Sequence, residues 1–518
     1  MVHSTTPLWR RFAALRPRLD TLPLSAQIVL VLAGHVLLWA WVGVSSRSNF
    51  DAPGDMVEAY AWAQGWQWGY YKHPPLSAWV AGLWFSVVPE SHWGYSLLAA
   101  LNGAVGLAGL ALLAREFLPR RWVLLCVMAA SLTPGITTLA MRFNANAILI
   151  STWPWAMALF ARLMRRQQPL DAVLCGGVCA LAVLGKYYSG VLLAALLACA
   201  LLVPEWRRIW RTRAAWLALA TFFTCLLPHL LWLLAQTSGP LQYAAHATAQ
   251  SSPGQALMRA LHFALSQWVF PALAFALLWL GLSGPTRTRA WWLAVTSVLR
   301  PRWQAPWLLG MVPVLATVLG TVVTDARTAS VWGLPISAGL VLLAASRAHE
   351  AGAEVDTRRL WRALLSLWLV IALLSPLWWL TRARLQTPGV TEPRIELAQA
   401  LDAFWRREES TPLRWVTGTR ALAASTSFYL HGRARYWSLW SPGIETPWVE
   451  IDEVRDEGSL IVCAQEDTDC QDEAEAWSAE SATLVVAKHE RGFDFQAVPY
   501  RVYRLRPRLS AAAAALAF

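Results

Sequence analysis

Residues 74–89 read Pro74-Pro75-Leu76-Ser77-Ala78-Trp79-Val80-Ala81-Gly82-Leu83-Trp84-Phe85-Ser86-Val87-Val88-Pro89. The apolar run from Leu76 to Val88 is 13 residues long, whereas a helix needs about 20 to cross the hydrocarbon of a bilayer. Prolines bracket it at both ends. The run is therefore read as a re-entrant or interfacial helix, and that decides on which side every later loop falls.

Working outward, spans are expected near 24–44, 93–114, 122–140, 145–163, 171–185, 187–203, 214–235, 259–282, 306–324, 330–346 and 361–380. If 76–88 does not cross, one set of alternate loops collects 22 arginines, from Arg10 and Arg11 through Arg359 and Arg362. The other set collects five basic residues: Arg47, Lys72, Arg142, Lys186 and Arg327. A crossing at 76–88 scrambles this bias. The positive-inside rule then puts the N-terminus in the cytoplasm. The expected fold is an all-α polytopic membrane domain of about 11 transmembrane helices with a C-terminal α/β periplasmic domain. Its parts are a cytoplasmic segment 1–23, a membrane domain 24–380 with outer loop 45–92, and a periplasmic domain 381–518.

Composition agrees. Of 518 residues, 56% are hydrophobic and 15% charged, against about 25% charged in a soluble domain. The deficit is confined to 24–380. Many of the 33 Trp lie near run ends, such as Trp206, Trp210, Trp378 and Trp379, where indole sits at headgroup level. The net charge of +12 is accounted for by membrane orientation, so no nucleic-acid partner is expected. No small-residue cleavage site follows the first apolar run, and 24–44 is read as an uncleaved span. Cys463 and Cys470 fall in the outer domain as a disulfide or as two thiols; the other five cysteines fall in spans as packing residues.

This orientation gathers polar residues on the outer face. The first outer loop carries Asp51, Gly54, Asp55 and Glu58, then Trp62, Gln64, Trp66 and Trp68, then Lys72, His73, Pro74 and Pro75. Other outer connections carry Arg142, Asn144 and Asn146; Lys186, Tyr187 and Tyr188; His246 in loop 236–258; and Asp325 with Arg327. Only three lysines occur among 44 basic residues, and Lys72 and Lys186 both sit at outer edges. A compact ammonium there serves phosphate binding or merely snorkels from a helix end. The three-residue spacing puts Asp55 and Glu58 on one helix face, as a general base with its neighbour or as solvated loop charges. His73 is either a pH-sensitive donor or a cap on the re-entrant segment. No Gly-rich phosphate loop or metal-spaced His/Cys cluster occurs, so neither a metal nor a cofactor is expected.

Gly54-Asp55 followed by Lys72-His73-Pro74-Pro75-Leu76 resembles the first outer loop of the GT-C glycosyltransferases. The similarity is to family 39, the protein O-mannosyltransferase-like enzymes, and to relatives that move aminoarabinose or galacturonate onto lipid A. The Asp55-to-His73 spacing matches without a gap, and Lys186-Tyr187-Tyr188 resembles the family's Ser/Thr-Lys-Tyr step. Two positions depart from it: Met56 stands where the family has a second acid, and Lys72 where an acid precedes His-Pro-Pro. The resemblance implies a sugar donor on polyprenyl phosphate and transfer with inversion to a glycolipid, glycan or protein acceptor at the bacterial inner membrane. It implies Asp55 as general base with Glu58 as possible substitute, Lys186, Lys72 and Arg142 at the donor phosphate, and His73, Tyr187, Asn144 and Asn146 positioning the loop or acceptor.

The outer domain is expected to have a helix at 395–409 and strands at 413–418, 459–464 and 483–488, binding the acceptor or acting as a brace. Two rival readings are a lipid-linked-sugar flippase and a noncatalytic scaffold. Sparse intramembrane charge and the lack of an internal repeat argue against the first. The second leaves the His-Pro-Pro-Leu loop unexplained.

Overall fold

The computed structural model describes residues 19, 21–51, 54–236, 239–240, 253–297 and 300–508. Among them, seven helices are long and apolar enough to cross a membrane: Leu24–Ser45, His92–Arg115, Ala147–Arg166, Arg213–Ala235, Gly254–Gly281, Ala305–Thr324 and Thr357–Arg384. An eighth candidate is Tyr187–Leu202 continued by Pro204–Arg211 after a 98° bend. The remaining expected spans hold shorter helices, Arg120–Ala130, Pro169–Gly185 and Ile336–Glu350.

The region 122–140 departs most from its expectation. Its helix stops at Ala130 and the chain continues to Met141 in turns. The Ser131, Thr133 and Thr137 hydroxyls donate back to the carbonyls of Met128, Ala130 and Thr133. Such local bonds compete with the helical ladder, and Pro134 brings no N–H to it. Hydropathy alone does not register this.

Glycine sets the closest helix approach. A Cβ at Gly106 would overlap the Ile150 carbonyl oxygen, and one at Gly109 would lie 2.6 Å from Trp155 Cδ1. Helix His92–Arg115 thus seats Ala147–Arg166 directly on its backbone, the small-residue packing expected between helices in lipid. Its start is capped by Ser91 Oγ, which accepts from Gly94 N at 3.0 Å.

Helix Leu76–Phe85 has 10 residues, about 15 Å of rise. It packs on helix Asp55–Ala63, and Trp84 Nε1 donates to the Gly94 carbonyl at 2.9 Å. The chain therefore returns to the same end of the bundle. The loops bearing Arg47, Arg142, Lys186 and Trp332 meet at that end; those bearing Arg165, Arg208, Arg302 and Arg347 meet at the other.

Beyond Arg384 a five-stranded mixed sheet runs in the order Arg435–Tyr436, Trp415–Gly418, Ser459–Ala464, Val498–Leu505, Ser481–Val486. The first three strands are parallel; Val498–Leu505 is antiparallel to both its neighbours. Alternation along Ser459–Ala464 serves two buried faces. Leu460 and Val462 join the core continuous with the helical bundle, while Ile461 and Cys463 face a separate core with Trp437 and Cys470. Cys463 and Cys470 are disulfide-bonded. Four of the other cysteines are buried, but Cys225 is exposed on its helix, so it is not a packing residue.

Candidate active site

Gly54 takes φ +82°, and a Cβ on it would lie 3.2 Å from Ala421 Cα of the outer domain. Only glycine suits both conditions. This turn starts helix Asp55–Ala63, whose first turn carries Asp55 and Glu58. Asp51 Oδ1 accepts from Met56 N at 2.9 Å and ties down the start of the helix. Burial raises the Asp51 carboxyl, partly offset by that hydrogen bond. Burial likewise raises Glu58, opposed by Lys72, whose Nζ lies 2.7 Å from Glu58 Oε1. Among the described residues no cation lies within ion-pair distance of Asp55.

Lys186 follows helix Pro169–Gly185 in extended conformation. Its Nζ donates to Asn146 Oδ1 at 2.6 Å and lies 4.8 Å from the centre of the Trp332 ring. Burial pulls its pKa down to about 7, and the Asp55 carboxylate is the charge that opposes the fall. Asn144 Oδ1 accepts from the backbone N–H groups of Asn146 and Ala147 at 2.9 and 3.1 Å. Asn144 thus fixes the segment from which Asn146 holds Lys186. His73 is pulled down to about 3 by burial and by the nearby Lys186 and Lys72 charges, so it is neutral at ordinary pH. Tyr187 turns away. Its hydroxyl lies 3.1 Å from His229 Nε2, and His229 Nδ1 lies 2.6 Å from the Trp68 carbonyl oxygen. Nδ1 must carry the proton to meet a carbonyl, so Tyr187 donates, and the pair pins the aromatic stretch of the loop. Arg142 is exposed, and its charge reaches Arg47 and Asp51. His246 lies outside the described residues.

Residues 72–232 match the family described as dolichyl-phosphate-mannose-protein mannosyltransferase. The lipid A galacturonosyltransferase RgtD of Rhizobium johnstonii is 27% identical over 274 residues, covering 50% of this chain and 56% of that protein. The chain thus matches little more than half the length of this curated relative. ArnT from Cupriavidus metallidurans in its apo state superposes with a TM-score of 0.59 at 15% identity, covering 94% of this chain and 99% of that one. The same protein bound to undecaprenyl phosphate gives 0.57 at 14% identity, covering 92% and 98%. The superposition with ArnT shows a shared fold.

The two departures from the family pattern have visible surroundings. Met56 is 4% exposed, and Arg47 Nη1 lies 3.6 Å from its sulfur. Lys72 is engaged with Glu58. The outer domain contributes residues that the sequence did not single out. Arg394, 2% exposed, donates to the Asp51 carbonyl at 3.2 Å and reaches Ser425 Oγ at 3.4 Å. Arg420 pairs with Glu445 at 2.7 Å and lies 5.8 Å from the Tyr71 ring, with its charge reaching Glu58. Arg491 donates to the carbonyls of Ser45 and Val44 at the end of helix Leu24–Ser45. No local signal marks these residues, because the partners that tie them to the loop and the first helix are hundreds of positions away in the chain. Among the described residues no cluster of His, Cys, Asp or Glu could hold a metal ion.

Proposed function

We propose that this protein transfers a sugar from a polyprenyl-phosphate donor to a lipid, glycan or protein acceptor at the periplasmic face of the bacterial inner membrane. The observation that carries the reading is the buried Lys186 ammonium, held by Asn146 Oδ1 at 2.6 Å, with the Asp55 carboxylate near enough to act on its charge. A carboxylate without an ion-pair partner among the described residues and an ammonium held by an amide are the two charges that a protic acceptor and a phosphate leaving group require.

Asp55 takes the proton of an acceptor hydroxyl as its oxygen attacks the anomeric carbon. The bond from that carbon to the phosphate oxygen breaks on the opposite face, so configuration inverts. The phosphate gains negative charge as it leaves, and Lys186, held in place by Asn146, stabilises it. Arg142 adds charge at the exposed rim. Glu58 and Lys72 brace the helix that presents Asp55, and neutral His73 packs against Trp62 below them. The arginine bias places this end of the bundle outside the cytoplasm, where the disulfide-bonded domain is stable to reduction. The undecaprenyl phosphate bound to ArnT supports a lipid phosphate as the donor carrier here.

The test is transfer by purified protein from radiolabelled polyprenyl-phosphate sugars to a membrane extract. Asp55→Asn should lower the rate by roughly 10²–10⁴-fold with the fold retained. An undiminished rate in that variant removes Asp55 as base. Absence of transfer from every donor removes the transferase reading.

A further inference from the structure

At the arginine-rich end of the bundle, away from Asp55, a cavity of about 620 Å³ with a mixed polar and apolar lining opens between helix ends. It lies at the start of the 20-residue helix Ala305–Thr324, where Gln304 supplies no side-chain cap; Trp307 N and Leu308 N bond to the Gln304 carbonyl and Pro306 has no N–H. The terminus therefore contributes mainly the positive end of the helix dipole. A second, independent feature is Ser346. It is 7% exposed, lines the cavity, and its hydroxyl has no hydrogen-bond partner among the described residues. A buried hydroxyl left unpaired costs free energy, and an acceptor oxygen entering the cavity would satisfy it. Arg165 and Arg208 also line the cavity. Arg165 makes a 3.7 Å contact with Glu116 and lies 5.3 Å from the Phe117 ring centre, and Arg208 has no ion-pair partner among the described residues. Two acids line the cavity as well. Glu350 is held by Arg347 at 2.9 Å and Arg302 at 3.3 Å, whereas Glu205 is exposed at the rim.

Next to this chamber is an apolar groove of about 280 Å³ between helices Ala147–Arg166, Pro169–Gly185, Gly190–Leu202 and Arg213–Ala235. Met164 lines both spaces. The short 3₁₀ segment Pro204–Arg211 forms the partition, turning Trp206 and Arg208 to the chamber and Ile209 and Trp210 to the groove. An anion-suited chamber opening beside an acyl-sized apolar groove has the two-part chemistry of an acidic phospholipid.

We propose that this face binds an acidic phospholipid of the adjoining leaflet, its phosphate in the chamber near Ser346, Arg165 and Arg208, and one acyl chain along the groove past Met164. The bent segment Tyr187–Arg211 then carries a lipid clamp at one end, while Lys186, which precedes it, stands at the candidate active site at the other. The site is separate from that of the donor lipid proposed above and does not depend on it.

Native mass spectrometry of the full chain in detergent tests this, with phosphatidylglycerol, phosphatidylcholine of the same acyl chains, and glycerol 3-phosphate as probes. Phosphatidylglycerol should bind at least about tenfold more tightly than phosphatidylcholine, since surface arginines attract anionic headgroups. Arg208→Glu, on an exposed turn, and Leu197→Asp, on the groove wall where Leu197 is 49% exposed, should each cut that affinity by about tenfold. Lys186→Ala should leave it unchanged. Equal binding of the two phospholipids, or affinity untouched by Arg208→Glu, overturns the site. Competition by glycerol 3-phosphate as strong as that of the lipid shows a soluble-phosphate site instead and overturns the lipid assignment. Loss of binding in Lys186→Ala assigns the lipid to the donor site and overturns the proposal too.

Discussion

The Lys72 ammonium lies 2.7 Å from the Glu58 carboxylate, with 14% and 11% of the two side chains exposed. The lysine that replaces the acid of the family pattern is therefore the counter-ion of the second acid in helix Asp55–Ala63. Glu58 is engaged, and Asp55 has no ion-pair partner among the described residues. The ion pair also joins the helix to the His73-Pro74-Pro75 corner, so the two ends of the motif are clamped across the intervening aromatic stretch.

Removing one partner of this pair should cost more than removing both. Lys72→Met leaves a buried carboxylate without its cation, an expected loss of about 1–3 kcal/mol, whereas Lys72→Met with Glu58→Gln should recover more than half of it. The pH dependence has a definite sign. Burial already raises the Glu58 carboxyl, and loss of Lys72 raises it further. A raised folded-state pKa means that the folded protein holds its proton longer, so stability falls as pH rises from the unfolded value of about 4.3. The Lys72→Met deficit should be larger at pH 8 than at pH 5 in detergent melts; a pH-independent deficit would argue against the pair.

Arg47 points at Met56, and burial lowers its pKa. A carboxylate at position 56 would meet that guanidinium. Met56→Glu should therefore change stability by less than about 1 kcal/mol, as burial cost and pairing offset each other. Met56→Lys, which buries a like charge, should lose about 3 kcal/mol or more. Thermal melts of the two variants in one detergent separate these outcomes; equal losses would mean that Arg47 does not sense the position.

Gly54 should tolerate no side chain. Alanine at φ +82° carries roughly 1–2 kcal/mol of backbone strain, and its Cβ would press on Ala421 at 3.2 Å. Because Gly54 immediately precedes Asp55, Gly54→Ala should also lower transfer beyond its effect on stability. Ala421→Gly removes the Cβ that would lie 3.3 Å away but keeps the Cα at 3.2 Å, so comparing the rate per folded molecule with that of Ala421→Gly/Gly54→Ala measures the side-chain part of the contact: relief by the second change identifies it.

The contiguous part of this site was readable and the rest was not, for physical reasons. Asp55, Lys72 and His73 share one loop, so their spacing carries the pattern. Charge bias and the shortness of 76–88 point to a returning segment, and the helix there, Leu76–Phe85, has 10 residues. Strands near 413–418, 459–464 and 483–488 were visible from apolar runs and lie at Trp415–Gly418, Ser459–Ala464 and Ser481–Val486. Arg394, Arg420 and Trp332 reach the site only by tertiary packing, and Arg and Trp are too common in this chain for these three to stand out. The turns after Ala130 were missed because hydroxyl bonds to local carbonyls leave hydropathy unchanged.

Arg394 links the outer domain to the loop through the Asp51 carbonyl, and Asp51 in turn holds the Met56 N–H. Arg394→Ala should leave Asp51 less restrained and lower kcat by about tenfold with little change in the donor KM, since a misplaced base costs rate rather than donor affinity. Arg394→Lys should recover part of this, because it keeps one donor to the carbonyl. A rise in donor KM alone would place Arg394 on donor binding.

Lys186 gives the last prediction its direction. Burial brings its pKa to about 7, below the ordinary lysine value of about 10.4. On the role proposed for it at the donor phosphate, the ammonium is present below pH 7 and lost above it, so the donor KM should rise as pH passes from about 7 toward 9. Stability should move the other way. Between the folded value of about 7 and the unfolded one the unfolded chain binds the extra proton, so this group adds stability as pH rises. Lys186→Arg keeps its charge at every pH and should flatten the KM profile, although its wider head fits the Asn146 contact poorly and should raise KM overall. Lys186→Met should raise KM at all pH values and remove the slope. A KM slope that survives in Lys186→Met would assign the titration to another group.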